Sequence, residues 1–375
     1  MIWLKTEILQ TKGGDYLERF ACPTTIVTGD AGQALAQRKS KGLLLVADPY
    51  FVEDGTVQHL LQAAGAERTA VFSQIQPDPS VELAAKGTAL VKEFQPDTVV
   101  ALGGGSAMDC AKAMVYFAGR DVELVAIPTT SGSGSEVTDF AILTHSGVKH
   151  PLVDDRLRPR LAILDGSLLE KQPKRLIADT GFDVLTHALE AWVATGGGGI
   201  TDALAKEAFC VTFAHLPASY GGNIQVRLRI HTASCMAGMA FSGAGLGLCH
   251  AMSHALGGMF HVSHGRLNAI LIPAVIGLNA QVAGEKYARL ARCAGLQGAA
   301  DSVAVRNLKN GLIRLRRELG MPHTLQEAGI DPRQIRRRAG ELVAAILEDP
   351  CCKTNPVPVE DYMVRKVLEE VTGHV

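Results

Sequence analysis

Apolar, β-branched runs alternate with helical periodicity from residue 24 to about residue 170. Thr24–Thr28, Leu43–Ala47, Thr69–Ser73, Thr98–Leu102, Leu124–Ile127 and Leu161–Leu164 read as strands. The runs are apolar throughout rather than alternating, which fits strands covered on both faces in a parallel sheet. Between them, Thr56–Ala64, Pro79–Phe94 and Ser106–Phe117 carry apolar residues at helical spacing. Asp78 is expected to cap the second of these helices, with Pro79 in its first turn. The alternation predicts a doubly wound α/β domain.

After Lys171-Gln-Pro-Lys174 the pattern becomes almost wholly helical, with Ala, Leu, Met and His on the apolar faces. A boundary near residue 172 divides the chain into an α/β domain over 1–172 and an all-helical domain over 173–375. Ahead of the first strand, Ile2, Trp3, Leu4, Ile8 and Leu9 form an apolar patch. An element laid against the domain is the expected reading of residues 1–20, ahead of a docking peptide.

Composition narrows the function classes. The 37 Lys+Arg balance 38 Asp+Glu, a net charge of −1 that lacks the basic excess of a nucleic-acid binder. No apolar run approaches the roughly 20 residues of a membrane span, and residues 1–20 lack a signal-peptide layout. Eight cysteines in a chain of 375 residues, with Cys351 and Cys352 adjacent, do not form a disulfide framework. A soluble cytoplasmic protein is the expectation.

Two glycine-rich loops carry candidate chemistry. Strand Thr98–Leu102 runs into Gly103-Gly-Gly-Ser-Ala-Met-Asp109 and then a helix. Glycines allow a sharp turn and close backbone approach, and a helix N-terminus favours an anion. Ser106 and Asp109 have capping-box spacing. The spacing is not G-x-G-x-x-G, and by itself the loop is equally well a tight turn without a ligand. The second loop, Ile127-Pro-Thr-Thr-Ser-Gly-Ser-Gly-Ser-Glu136, follows the next strand. Two such loops at neighbouring strand ends form the crevice where open α/β sheets bind nucleotides. Asp48, after strand Leu43–Ala47, suits a ribose 2′-hydroxyl and repels a 2′-phosphate, favouring NAD over NADP; it equally suits a turn before Pro49.

The helical half concentrates ionisable groups. Asp183 and His187 are four apart on one helix face. His250, His254, His261 and His264 gather four of the chain's twelve histidines in a short stretch. His250 and His254 share a helix face, and Gly257-Gly258 is expected to end that helix so that His261 or His264 folds back. Such groups among apolar residues are costly unless paired or bound to metal. One carboxylate with several imidazoles suits Fe²⁺ or Zn²⁺, and ligand type does not choose between them.

With these motifs together, the chain resembles the group III, iron-containing alcohol dehydrogenases from about residue 23 to 360. The likeness rests on Gly103–Asp109, Ile127–Thr138, Gly181–Glu190 and Gly245–His254 through His264-Gly265. A narrower likeness, in Phe72–Pro79, Val148–Leu152, Asp183–Val193 and Ala233–Phe241, is to the branch found in propanediol- and ethanolamine-utilisation microcompartments. The resemblance implies a Rossmann-like, NAD(H)-binding N-terminal domain, an all-α C-terminal domain and a metal in the cleft between them, a plan shared with dehydroquinate synthases. Its metal ligands fall on Asp183, His187, His250 and His264, and a proton-transfer histidine on His254. Its cofactor contacts fall on Gly104, Gly105, Ser106, Thr129, Thr130 and Ser133, with Lys149 nearby; Asp109 of the first loop and Asp48 complete the candidate cofactor set.

The implied reaction interconverts short-chain aldehydes and primary alcohols. Phe140, Phe241 and Phe260 are candidate pocket walls, or equally ordinary core aromatics. The implied partners are a second copy of the chain and microcompartment shell or enzyme components. The family's early F-G-x-G-A element is replaced by Thr28-Gly-Asp-Ala-Gly32, and its proline before the last ligand by Ser263. A glycerol-dehydrogenase or dehydroquinate-synthase-like enzyme is the first alternative. The synthase needs basic side chains for a phosphorylated substrate, and Arg266 is the only Arg or Lys between 240 and 270. A non-catalytic microcompartment scaffold is the second, and it leaves the two loops unexplained.

Overall fold

The computed structural model describes residues 9–10, 16–17, 20–145 and 148–373. They form two compact units, divided between Gln172 and Pro173. The described residues ahead of Cys22 group with the helical unit and not with the α/β unit, to which the sequence reading assigned them. A contact explains this: a Cβ on Gly243 would lie 3.5 Å from the Phe20 ring. Leu9–Gln10 (β1) pairs antiparallel with Tyr16–Leu17 (β2). The other residues of the apolar N-terminal patch lie outside the described residues.

The α/β unit contains β3 (Thr25–Thr28), β4 (Gly42–Ala47), β5 (Arg68–Phe72), β6 (Thr98–Gly103), β7 (Glu123–Pro128) and β10 (Leu161–Leu164). All pair in parallel, in the order β3-β10-β7-β6-β4-β5. The inner strands β4, β6 and β10 are buried at every position, whereas edge strands β3 and β5 are largely exposed. Helices α1 (Ala31–Ala36), α2 (Pro49–Glu53) and α3 (Thr56–Ala64) follow β3 and β4. Leu35, Val57 and Leu60 pack on one sheet face with Leu43, Leu45 and Val100. Helices α4 (Val81–Phe94) and α5 (Gly105–Ala118) cover the other face, where Val91, Met108 and Met114 meet Leu44, Val46 and Val99. Neighbouring strands β4 and β6 thus send their helices to opposite faces, so the loops after them part. That is the switch point at which open sheets of this kind leave a crevice.

Local details depart from expectation. Helix α4 starts at Val81, capped by Ser80, whose hydroxyl accepts from Leu83 N at 3.1 Å. Asp78 stands outside it in the left-handed region, φ +54°, paired with Lys149 at 2.6 Å. An additional antiparallel pair, β8 (Phe140–His145) with β9 (Val148–Val153), follows the second glycine-rich loop.

The helical unit contains α6 (Lys174–Val193), α7 (Gly199–Tyr220), α8 (Ile224–Ala244), α9 (Leu248–Phe260), α10 (His264–Cys293), α11 (Asp301–Glu318), α12 (Pro332–Arg337), α13 (Ala339–Glu348) and α14 (Asp361–Thr372). Helix α6 is buried almost all round from Ile177 to Val193, as a central helix is. Helix α10 is the one single helix, among the described residues, long and apolar enough to cross a membrane. Most of it is buried inside the unit, which is the position of a core helix, and Asn268 and Asn279 interrupt its apolar residues. Gly257-Gly258 does not end α9. The helix runs on to Phe260 and stops at His261, which takes the left-handed cap conformation (φ 55°) and donates its N–H to Gly257 O at 2.9 Å.

Candidate active site

In the helical unit, α6, α9 and α10 bring the predicted ligands together. One ligand atom each from Asp183, His187 and His250 lie within 4.8 Å of one another, all three residues buried. Asp183 and His187 are one turn apart on α6, as their spacing predicts. The His187 ring is stacked between Phe241 (centroids 4.4 Å) and His250 (4.5 Å). His264, the first residue of α10, stands at the edge of this group, its Nε2 3.6 Å from Asp183 Oδ1.

Other buried polar side chains hold these groups. Glu190, one turn beyond His187, is 2 % exposed and its Oε2 lies 2.6 Å from His250 Nδ1. It also accepts from the backbone N–H groups of Gly247 (3.0 Å), Cys249 (2.7 Å) and His250 (3.3 Å) at the start of α9. A carboxylate on Nδ1 fixes the tautomer and leaves the Nε2 lone pair available to a cation. Asn268 of α10 donates to Asp183 Oδ1 at 2.8 Å and accepts from the Ser253 hydroxyl at 2.5 Å. Burial raises the Asp183 and Glu190 carboxyls to about 7, and burial with His187 and His254 beside it holds the His250 imidazole well below its usual value. A carboxylate and neutral imidazoles converging away from water form a donor set that fits a borderline divalent ion.

His254, one turn after His250, stacks on His264 with centroids 5.1 Å apart and rings 12° from parallel. Its Nδ1 lies 2.8 Å from Asp349 Oδ2, while Asp349 Oδ1 accepts from Cys351 N at 2.8 Å. His261 is the α9 cap. Arg266 is spent on Asp179, reaching both carboxylate oxygens at 3.0 and 3.2 Å, so the stretch from 240 to 270 offers no spare cation to a phosphorylated substrate. Gly265, beside His264, permits α10 to meet α6: a Cβ there would lie 1.9 Å from Asp179 O.

Sequence reasoning passed over Glu190, Asn268 and Asp349. A carboxylate three residues after His187 in an apolar helix, and an amide within Leu267-Asn-Ala-Ile270, were the available signals. Asp349 precedes Pro350, and that dipeptide by itself signals only a turn.

In the α/β unit the two glycine-rich loops lie side by side. Gly103 ends β6 with φ +154°, where a Cβ would stand 2.6 Å from Ala107 Cβ, and its carbonyl accepts from Thr129 N at 2.9 Å. A Cβ on Gly104 would meet the Thr130 side chain at 3.3 Å, and one on Gly105 would meet Ser133 at 3.4 Å. Thr130 and Ser133 therefore face the first turn of α5, where Ser106 follows. Helix α5 has no side-chain cap, so the predicted Ser106/Asp109 capping box is absent. The Asp109 oxygens instead accept from Ser135 Oγ (2.9 Å) and Ile142 N (3.1 Å). Asp48 caps α2 through Tyr50 N at 3.0 Å, the turn role that was its alternative reading. Of the candidate pocket walls, Phe241 lies on His187, Phe260 lies under Arg338 (5.9 Å), and Phe140 sits at the start of β8.

Two family models match this chain, iron-containing alcohol dehydrogenase over residues 21–166 and the C-terminal part of the same family over 177–372. The chain belongs to the iron-containing alcohol dehydrogenase family. It is 40% identical over 372 residues to 1-propanol dehydrogenase PduQ of Salmonella typhimurium, covering 95% of this chain and all of that one. It is 36% identical to an NADPH-dependent butanol dehydrogenase of Clostridium saccharobutylicum, covering 94% and 97%. A sulfoacetaldehyde reductase from Bifidobacterium kashiwanohense, solved with NAD⁺, superposes with a TM-score of 0.85 at 27% identity, over 95% of this chain and 98% of the other. The chain is thus a metal-dependent alcohol dehydrogenase, an oxidoreductase with an α/β unit and an all-helical unit.

Proposed function

We propose that this dehydrogenase interconverts short-chain aldehydes and primary alcohols, using NAD(H) and an Fe²⁺ ion, or Zn²⁺ in its place, held by Asp183, His187, His250 and His264. The observation that carries the reading is the buried convergence of Asp183, His187 and His250, with Glu190 and Asn268 behind them. The ion would act as a Lewis acid on the carbonyl oxygen, and NADH would supply the hydride. Glu190 fixes the His250 tautomer, and Asn268 directs the Asp183 carboxylate. His254, held at Nδ1 by Asp349, presents Nε2 as the atom that passes a proton. Gly104, Gly105 and Ser106 offer backbone N–H groups to a pyrophosphate, with Thr129, Thr130 and Ser133 opposite. Asp48, at the end of β4, supports NAD rather than NADP.

The likeness of Phe72–Pro79 and Val148–Leu152 to the microcompartment branch supports residence in a bacterial microcompartment, with shell or enzyme partners, and a homodimer. Anaerobic reconstitution of the metal-free protein with Fe²⁺ or Zn²⁺ tests the chemistry. NADH oxidation with C2 to C4 aldehydes is the expected result, and no turnover with either ion sinks the reading.

A further inference from the structure

The segment between β7 and β8 has a single apolar side chain to hold it, the buried Val137. Thr129-Thr-Ser-Gly-Ser-Gly-Ser-Glu136 contains no apolar side chain; Thr129, Ser131, Ser135 and Glu136 are buried as polar groups, and Gly134 sits in the left-handed region at φ +63°. Yet Thr130 and Ser133 stand so near Gly104 and Gly105 that a Cβ on either glycine would lie 3.3 or 3.4 Å from them. Val137 anchors only the far end of the stretch, so polar contacts set the register ahead of it.

Beneath it lies Lys112, a lysine of α5 that is 1 % exposed. Its Nζ is surrounded by four oxygens: Ser135 Oγ at 2.9 Å, Thr138 O and Oγ1 at 3.0 Å each, and Phe140 O at 2.9 Å. Three N–H groups thus tie together three points of an irregular stretch. Ser135 in turn donates to Asp109 Oδ1 at 2.9 Å, one turn back on α5, while Asp109 Oδ2 takes Ile142 N of β8 at 3.1 Å. From the other side, Arg158 donates to Val137 O at 3.1 Å and pairs with Asp139 at 2.8 Å. A buried ammonium is costly unless its donors are filled, and here all are filled by one segment. The first turn of that same α5 carries Gly105 and Ser106.

We propose that Lys112 and Asp109 are positioning residues for the nicotinamide cofactor: they fasten the Ser135–Ile142 segment to α5, so that both glycine-rich loops present their N–H and hydroxyl groups as one fixed cradle. The inference rests on the reading that these loops bind the dinucleotide. Neither side chain touches the cofactor; each acts through the loop. Asp109 is thereby moved from the contact set to the support beneath it.

The test compares Lys112→Met, Lys112→Gln and Ser135→Ala with the parent, all metal-loaded. Ser135→Ala keeps the ammonium and cuts its link to Asp109. NADH affinity is read by fluorescence titration, alongside kcat at saturating NADH, aldehyde KM and metal content. The expected result is a Kd for NADH raised about 100-fold in Lys112→Met and about tenfold in the other two, with kcat within threefold of the parent and metal content unchanged. Hydrogen exchange should quicken at residues 135–142 and stay unchanged in α6 and α9. A parent that fails to bind NADH removes the cofactor reading itself. A parent that binds, with Ser135→Ala and Lys112→Gln binding equally well, overturns the role of Lys112 and leaves that reading standing. Should Lys112→Met fail to fold, the other two variants decide.

Discussion

The two units hold polar groups away from water by opposite means. In the helical unit each group is a side chain on a long buried helix with another side chain behind it: Glu190 behind His250, Asn268 behind Asp183, Asp349 behind His254. In the α/β unit the presenting groups are backbone and small hydroxyls on loops with little apolar anchoring, and the buried Lys112 lies beneath them, linked through Ser135 to the half-buried Asp109. The first arrangement concentrates function in single atoms, so a single loss is severe. The second spreads it over many weak contacts, so losses are graded and the support counts for more than any one contact.

The largest effect expected from this contrast is in His250→Ala. It should lose stoichiometric metal on dialysis and all turnover, and a variant that keeps metal and rate would remove His250 from the ligand set. Glu190→Gln is the next most severe. Its single carbonyl oxygen can accept either from Cys249 N or from Gly247 N and His250 N but not from all three, and the carboxylate is lost from His250 Nδ1, so metal affinity should fall about 10- to 100-fold in a chelator competition. Glu190→Ala is the poorer probe, because each buried donor left unsatisfied costs about 1–3 kcal/mol and folding would suffer too.

The sequence made the α/β architecture legible because inner strands of a parallel sheet must be apolar on both faces, and Leu43–Ala47 and Thr98–Leu102 are. Where it misled, the deciding partner was remote. Asp78-Pro79 has the form of a helix start, but Lys149 draws Asp78 out, across the β8–β9 pair that was not foreseen. Gly257-Gly258 looked like a stop, but the helix interior needs no Cβ there, and His261 supplied the left-handed cap instead. The histidines could be found by spacing along one chain segment. Glu190 and Asn268 could not be assigned to them, since their partners lie 60 and 18 residues away.

Two smaller effects probe the loop side of the contrast. Asp48→Ser keeps an oxygen to cap α2 and removes the charge. It should raise kcat/KM for NADPH relative to NADH by about tenfold, ~1.4 kcal/mol of relieved repulsion. An unchanged ratio would leave Asp48 a cap and nothing more. The smallest effect is a pH dependence. Burial brings the Lys112 ammonium down to about 8, against the pull of Asp109, Glu136 and Asp139 and with Arg158 adding to it. Neutral Lys112 has one donor fewer, so NADH affinity should weaken by a few-fold as pH rises through about 8, and Lys112→Gln should show no such step. The folded value is below the unfolded one of 10.5, so the unfolded chain holds more protons between the two, and this group's contribution to stability rises with pH over that window. Weaker binding with a level or rising melting temperature would separate loosening of the loop from loss of the fold; a joint decline would merge them.

The glycine after His264 sets a design rule. Because a single added carbon would fall 1.9 Å from Asp179 O, the distance between α10 and α6 is fixed by backbone meeting side-chain-free backbone. The span between His264 and Asp183 is then a property of the scaffold and not of whatever ion sits there. Anyone redesigning the centre for a larger or differently shaped ion must first move two helices apart, and Gly265→Ala is the smallest wedge with which to try.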